Sequence, residues 1–196
     1  MKKLFTSTLA ILIGIATFAQ PVKDMAVIPI GVTLSSIMRL NVKSGGNIEF
    51  VVSTMDQYTT GIGNTAATTT IFDVYSSVKW DVYLYADAGN LTGTEVNTNT
   101  LAVAFLGYTP SKASAASVPI AAVANTTVAA AAALTNTSTT IIFSNTAASS
   151  NAGTVTGLQV QWVLGRAPAT STNLLGSAPD RYTVNAYLHL ATTATP

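Results

Sequence analysis

Val78-Lys79-Trp80-Asp81-Val82-Tyr83-Leu84-Tyr85-Ala86 puts Trp80, Val82 and Leu84 on one side of an extended chain and Lys79, Asp81, Tyr83 and Tyr85 on the other. This period-two alternation marks a strand with one face in a core and one face wet or in an interface. Asp87-Ala88-Gly89-Asn90 closes it with turn-forming residues. Just upstream, Thr70-Ile71-Phe72-Asp73-Val74-Tyr75 reads as its partner strand. Leu158-Gln159-Val160-Gln161-Trp162-Val163-Leu164 alternates as cleanly, with Leu158, Val160, Trp162 and Leu164 inward. Near the C-terminus, Asp180 to Leu190 carries Tyr182, Val184, Ala186, Leu188 and Leu190 on one apolar face. Arg181, Thr183, Asn185, Tyr187 and His189 take the other.

Working outward, Ile37 to Val42 is a further strand, closed by the turn Lys43-Ser44-Gly45-Gly46-Asn47. Paired glycines between apolar runs supply positive φ, so Ile48 to Met55 is expected to return as the second strand of a hairpin. Asp56 to Thr68 is expected to be a polar surface loop. Leu101 to Tyr108 reads as a strand stopped by Pro110, Thr139 to Ser144 as another, Ser149 to Gly153 as a turn and Gly165 to Pro179 as a loop. Ser111 to Ser138 is alanine-rich, which favours helix, yet Val118, Val123 and Thr126 to Val128 favour strand and Pro119 interrupts a long helix. The reading there leans to strands with small side chains. About nine or ten short strands with glycine and proline turns imply an all-β fold, a single antiparallel β-sandwich.

Ahead of these strands, Met1-Lys2-Lys3, the apolar run Leu9 to Phe18 and Ala19-Gln20 form the pattern of a secretory leader. It is too short to span a bilayer comfortably, and no other stretch is long and apolar enough to span one. Behind it, Ala26-Val27-Ile28-Pro29-Ile30-Gly31-Val32-Thr33-Leu34 has Ala26, Ile28, Ile30, Val32 and Leu34 on one face. Pro29 lacks an N–H, which confines such a strand to an edge or groove. The expected organisation is a signal peptide over 1–20, an N-terminal extension over 21–36 that is a candidate donor strand, and a sandwich domain over 37–196.

Composition narrows the function. Loss of Lys2 and Lys3 with the leader takes the formal charge from +1 to −1, and the remaining basic residues are scattered. Nucleic-acid binding, which needs clustered phosphate neutralisation, is not expected. There are no cysteines, so an exported chain of this kind relies on its core and backbone ladders instead of disulfides. Charged residues are 9% of the chain, against roughly 25% in an ordinary soluble domain. A surface so poor in charge suits a subunit that packs against copies of itself.

No catalytic constellation emerges, and neither an enzyme activity nor a cofactor nor a metal is expected. His189 is the only histidine, so any histidine-based triad would have to be built on it; its place on an outer strand face favours a surface role. The carboxylates Asp24, Glu49, Asp56, Asp73, Asp81, Asp87, Glu95 and Asp180 show no spacing that pairs two of them across a cleft. Phosphate-loop, dinucleotide and nucleophile-elbow patterns are absent. Sequons at Asn90, Asn125 and Asn136 match what chance supplies in a chain so rich in asparagine and threonine. Tyr83 and Tyr85, with Tyr75 nearby, form either cross-strand pairs or a glycan-facing platform.

A cysteine-free β chain with an alternating segment behind a leader and a closing Asp-Arg-Tyr-Thr-Val-Asn-Ala-Tyr-Leu-His-Leu strand resembles the pilin-like, spore-coat-protein-U-like subunits of bacterial surface fibres. Tyr182, Val184 or Ala186, Leu188 and Leu190 stand where that family has Gly-x-Tyr-x-x-x-Val-x-Leu-x-Leu, with Asp180 and Arg181 in place of small residues and glycine. The leader end Phe18-Ala19-Gln20, Ile37 to Val42 and Ser44 to Phe50 are similar to secreted proteins of Bacteroidota. The resemblance implies an immunoglobulin-like, pilin-like sandwich at the cell surface that lacks one strand and receives it from another copy. It makes Ala26, Ile28, Ile30, Val32, Leu34, Tyr182, Val184, Leu188 and Leu190 subunit-interface residues. The partners it implies are copies of the chain, with a periplasmic chaperone or outer-membrane assembly factor as helper. The alternative is a monomeric secreted carbohydrate-binding or adhesive module using Tyr83 and Tyr85, with a hydrolase behind both.

Overall fold

A computed structural model describes residues 26–112, 131–145, 153–165 and 174–193. The leader reading and most of the alanine-rich stretch fall outside them. The chain divides into two units between Leu34 and Ser35. In the first, Ala26 to Leu34 has no assigned secondary structure.

The second unit is all-β, with three antiparallel sheets. Its strands are β1 (Met38–Ser44), β2 (Thr69–Ser76), β3 (Trp80–Ala86), β4 (Asn90–Gly93), β5 (Thr100–Ala102), β6 (Leu106–Lys112), β7 (Ala132–Ala133), β8 (Ile141–Asn145), β9 (Gly153–Leu164), β10 (Tyr182–Thr183) and β11 (Ala186–Thr192). The first sheet runs β1-β2-β9-β6-β7, the second β11-β3-β8 and the third β10-β4-β5. Alternation set the inward faces correctly. Phe72 and Val74 of β2, Trp80, Val82 and Leu84 of β3, and Leu158, Val160, Trp162 and Leu164 of β9 are all buried in one core. Phe72 meets Phe143 of β8 edge-on at 5.7 Å, which joins the first sheet to the second through the favoured geometry for aromatic pairs.

Pairing departs from the sequence reading in several places. The strands β2 and β3 do not pair with each other; they enter different sheets. Between them Ser76 Oγ accepts the Val78 N–H at 3.1 Å and donates to the Val78 carbonyl at 2.7 Å. Both strands carry large apolar faces, and burying the two together requires an arch across the core, not a hairpin within one sheet. The expected hairpin of Ile37–Val42 with Ile48–Met55 is also absent, because β1 pairs with β2. Gly45 does take the positive φ expected of the turn. Ile48 to Val52 has no assigned strand, and Met55–Thr60 is a helix, α1. The expected polar loop therefore begins with a helical turn. Thr54 caps it through a reciprocal box with Gln57, which satisfies orphan N–H groups and ends the extended chain.

Pro110 does not stop its strand; β6 continues to Lys112. The carbonyl of Phe105 accepts from Gly165 and that of Leu106 from Leu134, so even-numbered residues of β6 turn their backbone groups toward β7. Among the described residues that strand covers only Gly107 and Tyr108, so Pro110, which has no N–H to donate on that side, interrupts no described ladder bond. The C-terminal run, read as one strand, is split into β10 in the third sheet and β11 in the second.

The register of β2 is held by Asp73, which is 4% exposed. On one side β1 carries an extra residue between Val42 and Ser44, and the bulged Lys43 reaches Asp73 Oδ2 at 3.2 Å. On the other, β9 carries an extra residue opposite Phe72 and Val74, and Gly157, at φ 72°, donates its N–H to Asp73 Oδ1 at 3.0 Å. The second bulge resets the phase of β9, so that odd-numbered Val155 and even-numbered Leu158 both face the core. Burial pushes the Asp73 pKa up, but the bonds from Gly157, Lys43 and Tyr75 outweigh it and hold the carboxyl below its ordinary value.

Candidate functional site

The second sheet ends on β11, whose one ladder partner among the described residues is β3. At the two ends of this ladder Asp87 donates to the Asn185 carbonyl at 3.0 Å and Thr193 donates to the Lys79 carbonyl at 3.2 Å. Backbone groups alternate sides along a strand, so the odd-numbered residues Tyr187, His189 and Ala191 also bond to β3. The N–H and C=O groups of Ala186, Leu188, Leu190 and Thr192 then form the outer edge. Leu188 and Leu190 turn their half-buried side chains to the core, so the residues offering backbone bonds at the edge are also those with inward apolar side chains.

The edge strand β1 of the first sheet approaches β11. At this flank Met38 and Leu40 of β1 and Leu188 and Leu190 of β11 are half-buried and pack on the core, as do Ile48, Phe50 and Val52 of the segment after β1, Tyr182 of β10 and Val184 between β10 and β11. Ile48, Phe50 and Val52 alternate with exposed Glu49 and Val51 as strand residues would. Among the described residues this segment has no ladder partner.

Two carboxylates position the C-terminal strands. Asp180 Oδ1 accepts the N–H groups of Glu95 at 3.0 Å and Arg181 at 2.7 Å, and Oδ2 accepts from Val96 N at 3.1 Å and Asn99 Nδ2 at 3.0 Å. The Glu95 bond, with those from Asn99, Val96 and Arg181, brings its pKa down to about 2 against the opposing effect of burial. The loop between β4 and β5 is thereby tied to the start of β10. A Cβ on Gly93 would run into Asp180 Oδ2, so glycine is what allows the carboxylate in. Asp87 grips Asn185 through its N–H at 3.2 Å and its Nδ2 at 2.7 Å, at the point where the chain passes from one sheet to the next. Arg181 also meets Glu49 at 3.6 Å, an exposed pair of small energetic weight.

The sequence-derived interface residues fall into two groups. Tyr182, Val184, Leu188 and Leu190 are half-buried and pack on the core, the first on β10 of the third sheet and the last two on β11. Ala26, Ile28, Ile30, Val32 and Leu34 lie on the N-terminal segment, where the four larger side chains are 79 to 90% exposed. Tyr83 and Tyr85 stand half-buried on the outer face of β3. Each meets a ring directly across on β11: Tyr83 with His189 at 5.9 Å and Tyr85 with Tyr187 at 5.5 Å. Asp81, expected on a face that is wet or in an interface, is 4% exposed and accepts a hydrogen bond from Ser144 Oγ on the neighbouring strand; a carboxylate this covered needs such a donor. Asp73 and Asp180 carry structural roles that their sequence spacing does not disclose, since their partners lie up to 85 positions away. The Thr54-x-x-Gln57 cap of α1, by contrast, is a legible local signal.

Among the described residues no group of three or more histidines and carboxylates could hold a metal, and no helix is long and apolar enough to cross a membrane. No protein-family model matches the chain, and no curated protein matches it either.

Proposed function

We propose that this protein is a secreted structural subunit with an immunoglobulin-like, pilin-like sandwich, and that copies of it join without covalent links into an extracellular filament by donor-strand exchange. The Ala26 to Leu34 segment of one copy lies along the β11 edge of the next. The observation that carries this reading is the match between that alternating, exposed segment and an edge strand whose outer backbone groups, without a ladder partner among the described residues, sit on its half-buried apolar residues.

Pro29 supports the match. An incoming strand antiparallel to β11, with even-numbered side chains inward, bonds through the backbone of residues such as Ile28, Ile30 and Val32 opposite Leu188 and Leu190. Pro29 then faces away from the ladder, where its missing N–H costs no bond with β11. A parallel strand would instead use the odd-numbered N–H groups. Nine residues of strand span about 30 Å, longer than β11. Burying Ile28, Ile30, Val32 and Leu34 is worth about 6 to 12 kcal/mol before ordering costs. The head-to-tail contact propagates because its two surfaces differ.

Electron microscopy of the purified protein with and without residues 21–34 tests the proposal. Filaments from the longer form alone are expected; dispersed monomers from both forms would overturn it. Ile28→Asp with Ile30→Asp, at positions outside the core of the second unit, is expected to abolish filaments while leaving the circular dichroism spectrum unchanged.

A further inference from the structure

The outer face of β3 and β11 carries a second feature that the edge contact does not use. Tyr83 and His189 tilt by 37° to one another and Tyr85 and Tyr187 by 32°, while Tyr85 meets His189 edge-on at 6.4 Å, so four rings cluster on this face, each leaning against its cross-strand neighbour. Tyr187 is 47% exposed. Beside the first pair an open cleft of about 460 Å³ is lined by Tyr83, His189, Ala191, Ile141, Ser138 and Thr139. Its volume falls within the ~300–1,000 Å³ range of small-molecule sites. The walls combine aromatic and aliphatic carbon with an imidazole and two hydroxyls.

This chemistry selects its ligand. Flat rings favour a ligand with a flat C–H face, and hydroxyls and imidazole at the rim favour one carrying many hydroxyls. None of the cleft-lining residues is a carboxylate, lysine or arginine, and Asp81 on the same strand face is buried against Ser144. An ionic ligand would find no fixed countercharge in the cleft. We infer that this face binds a neutral carbohydrate, with one pyranose ring stacked on Tyr83 beside His189 and the chain continuing over Tyr85 and Tyr187. The inference does not depend on the filament, since it uses the sheet face and not the edge.

Affinity electrophoresis through gels containing a soluble β-glucan, an α-mannan or a xylan tests it. The purified protein is expected to be retarded by at least one of these polymers. Tyr83→Ala and Tyr187→Ala should each weaken that retardation about tenfold in apparent affinity, whereas Tyr83→Phe should keep it and Leu188→Ala on the flank should leave it unchanged. If Tyr83→Ala fails to fold, the exposed Tyr187→Ala decides. Mobility unaffected by all three polymers, or retardation equal in the wild type and a folded Tyr187→Ala variant, would overturn the inference. So would a Tyr187→Ala variant that changes only sedimentation, because the face would then be a contact between copies.

Discussion

The centre of the second unit and its flank are built from the same alternating strands but end in different states. At the centre β2, β3, β8 and β9 have neighbours on both sides or a facing sheet, and Phe72, Trp80, Val82, Phe143 and Leu158 are at most 1% exposed. At the flank, among the described residues, β1 and β11 each have one neighbour, the segment between Ile48 and Val52 has none, and the apolar side chains are only half-buried. The difference lies in what covers each strand, not in hydrophobicity: β8 also has a single ladder partner among the described residues, yet its Phe143 is buried against Phe72 of the facing sheet. Leucine and phenylalanine occur in both regions, and a side chain is fully covered only where a further strand or sheet lies over it. A flank with inward apolar residues and free backbone groups is suited to receive one more strand.

Substitutions in the two regions should therefore differ in size and kind. The largest effect is expected from Trp80→Ala, a loss of about 3–5 kcal/mol in urea unfolding, because nothing at the centre can move into the void. Asp73→Asn follows, at about 1.5–3 kcal/mol, since the Gly157 and Lys43 contacts that pin both bulges lose their charge. The pH dependence has a defined sign. The folded pKa values of Asp73 and Asp180 are below the ordinary 3.8, with that of Asp180 about 2. Their stabilisation is present above the ordinary value and is lost as pH falls through the folded values. Unfolding measured from neutral pH down to about 2 should show this acid loss, and Asp73→Asn combined with Asp180→Asn should flatten it; an unchanged acid slope would contradict the two clamps.

At the flank, Leu188→Ala is expected to cost free subunits only about 1 kcal/mol. A loss as large as that of Trp80→Ala would mean that the flank is as closed as the centre and would break the comparison. The smallest effect, within about 0.5 kcal/mol, is expected from Tyr187→Ala, whose ring lies on the outer face.

Much of the strand content was legible because the signal is local. Trp80, Val82 and Leu84, or Leu158, Val160, Trp162 and Leu164, declare an inward face within a single strand. Expectation and structure part where the decisive partner is distant or where one local signal outweighs another. Pro110 reads as a stop from sequence because a proline in a strand is harmless only when its missing N–H faces no ladder; its backbone turns away from β9, which the local sequence does not disclose. The alternation of Ile48 to Met55 suits a hairpin strand, but Thr54 and Gln57 cap a helix there. Of the candidate site, Leu188, Leu190 and the N-terminal alternation could be read from sequence. The free edge of β11 and the clamp of Asp180 on Glu95, Val96 and Asn99 could not.

The order of side chains along the chain, by itself, determined that this protein is built of strands and which residues of each turn inward, because consecutive side chains of an extended backbone must point to opposite faces. Only the tertiary structure decided which strands pair, that β2 and β3 part into different sheets, and that β11 is left at an edge. Backbone hydrogen-bonding groups are the same in every residue but proline, so they carry no address. Partners are chosen by which arrangement buries all the apolar faces together.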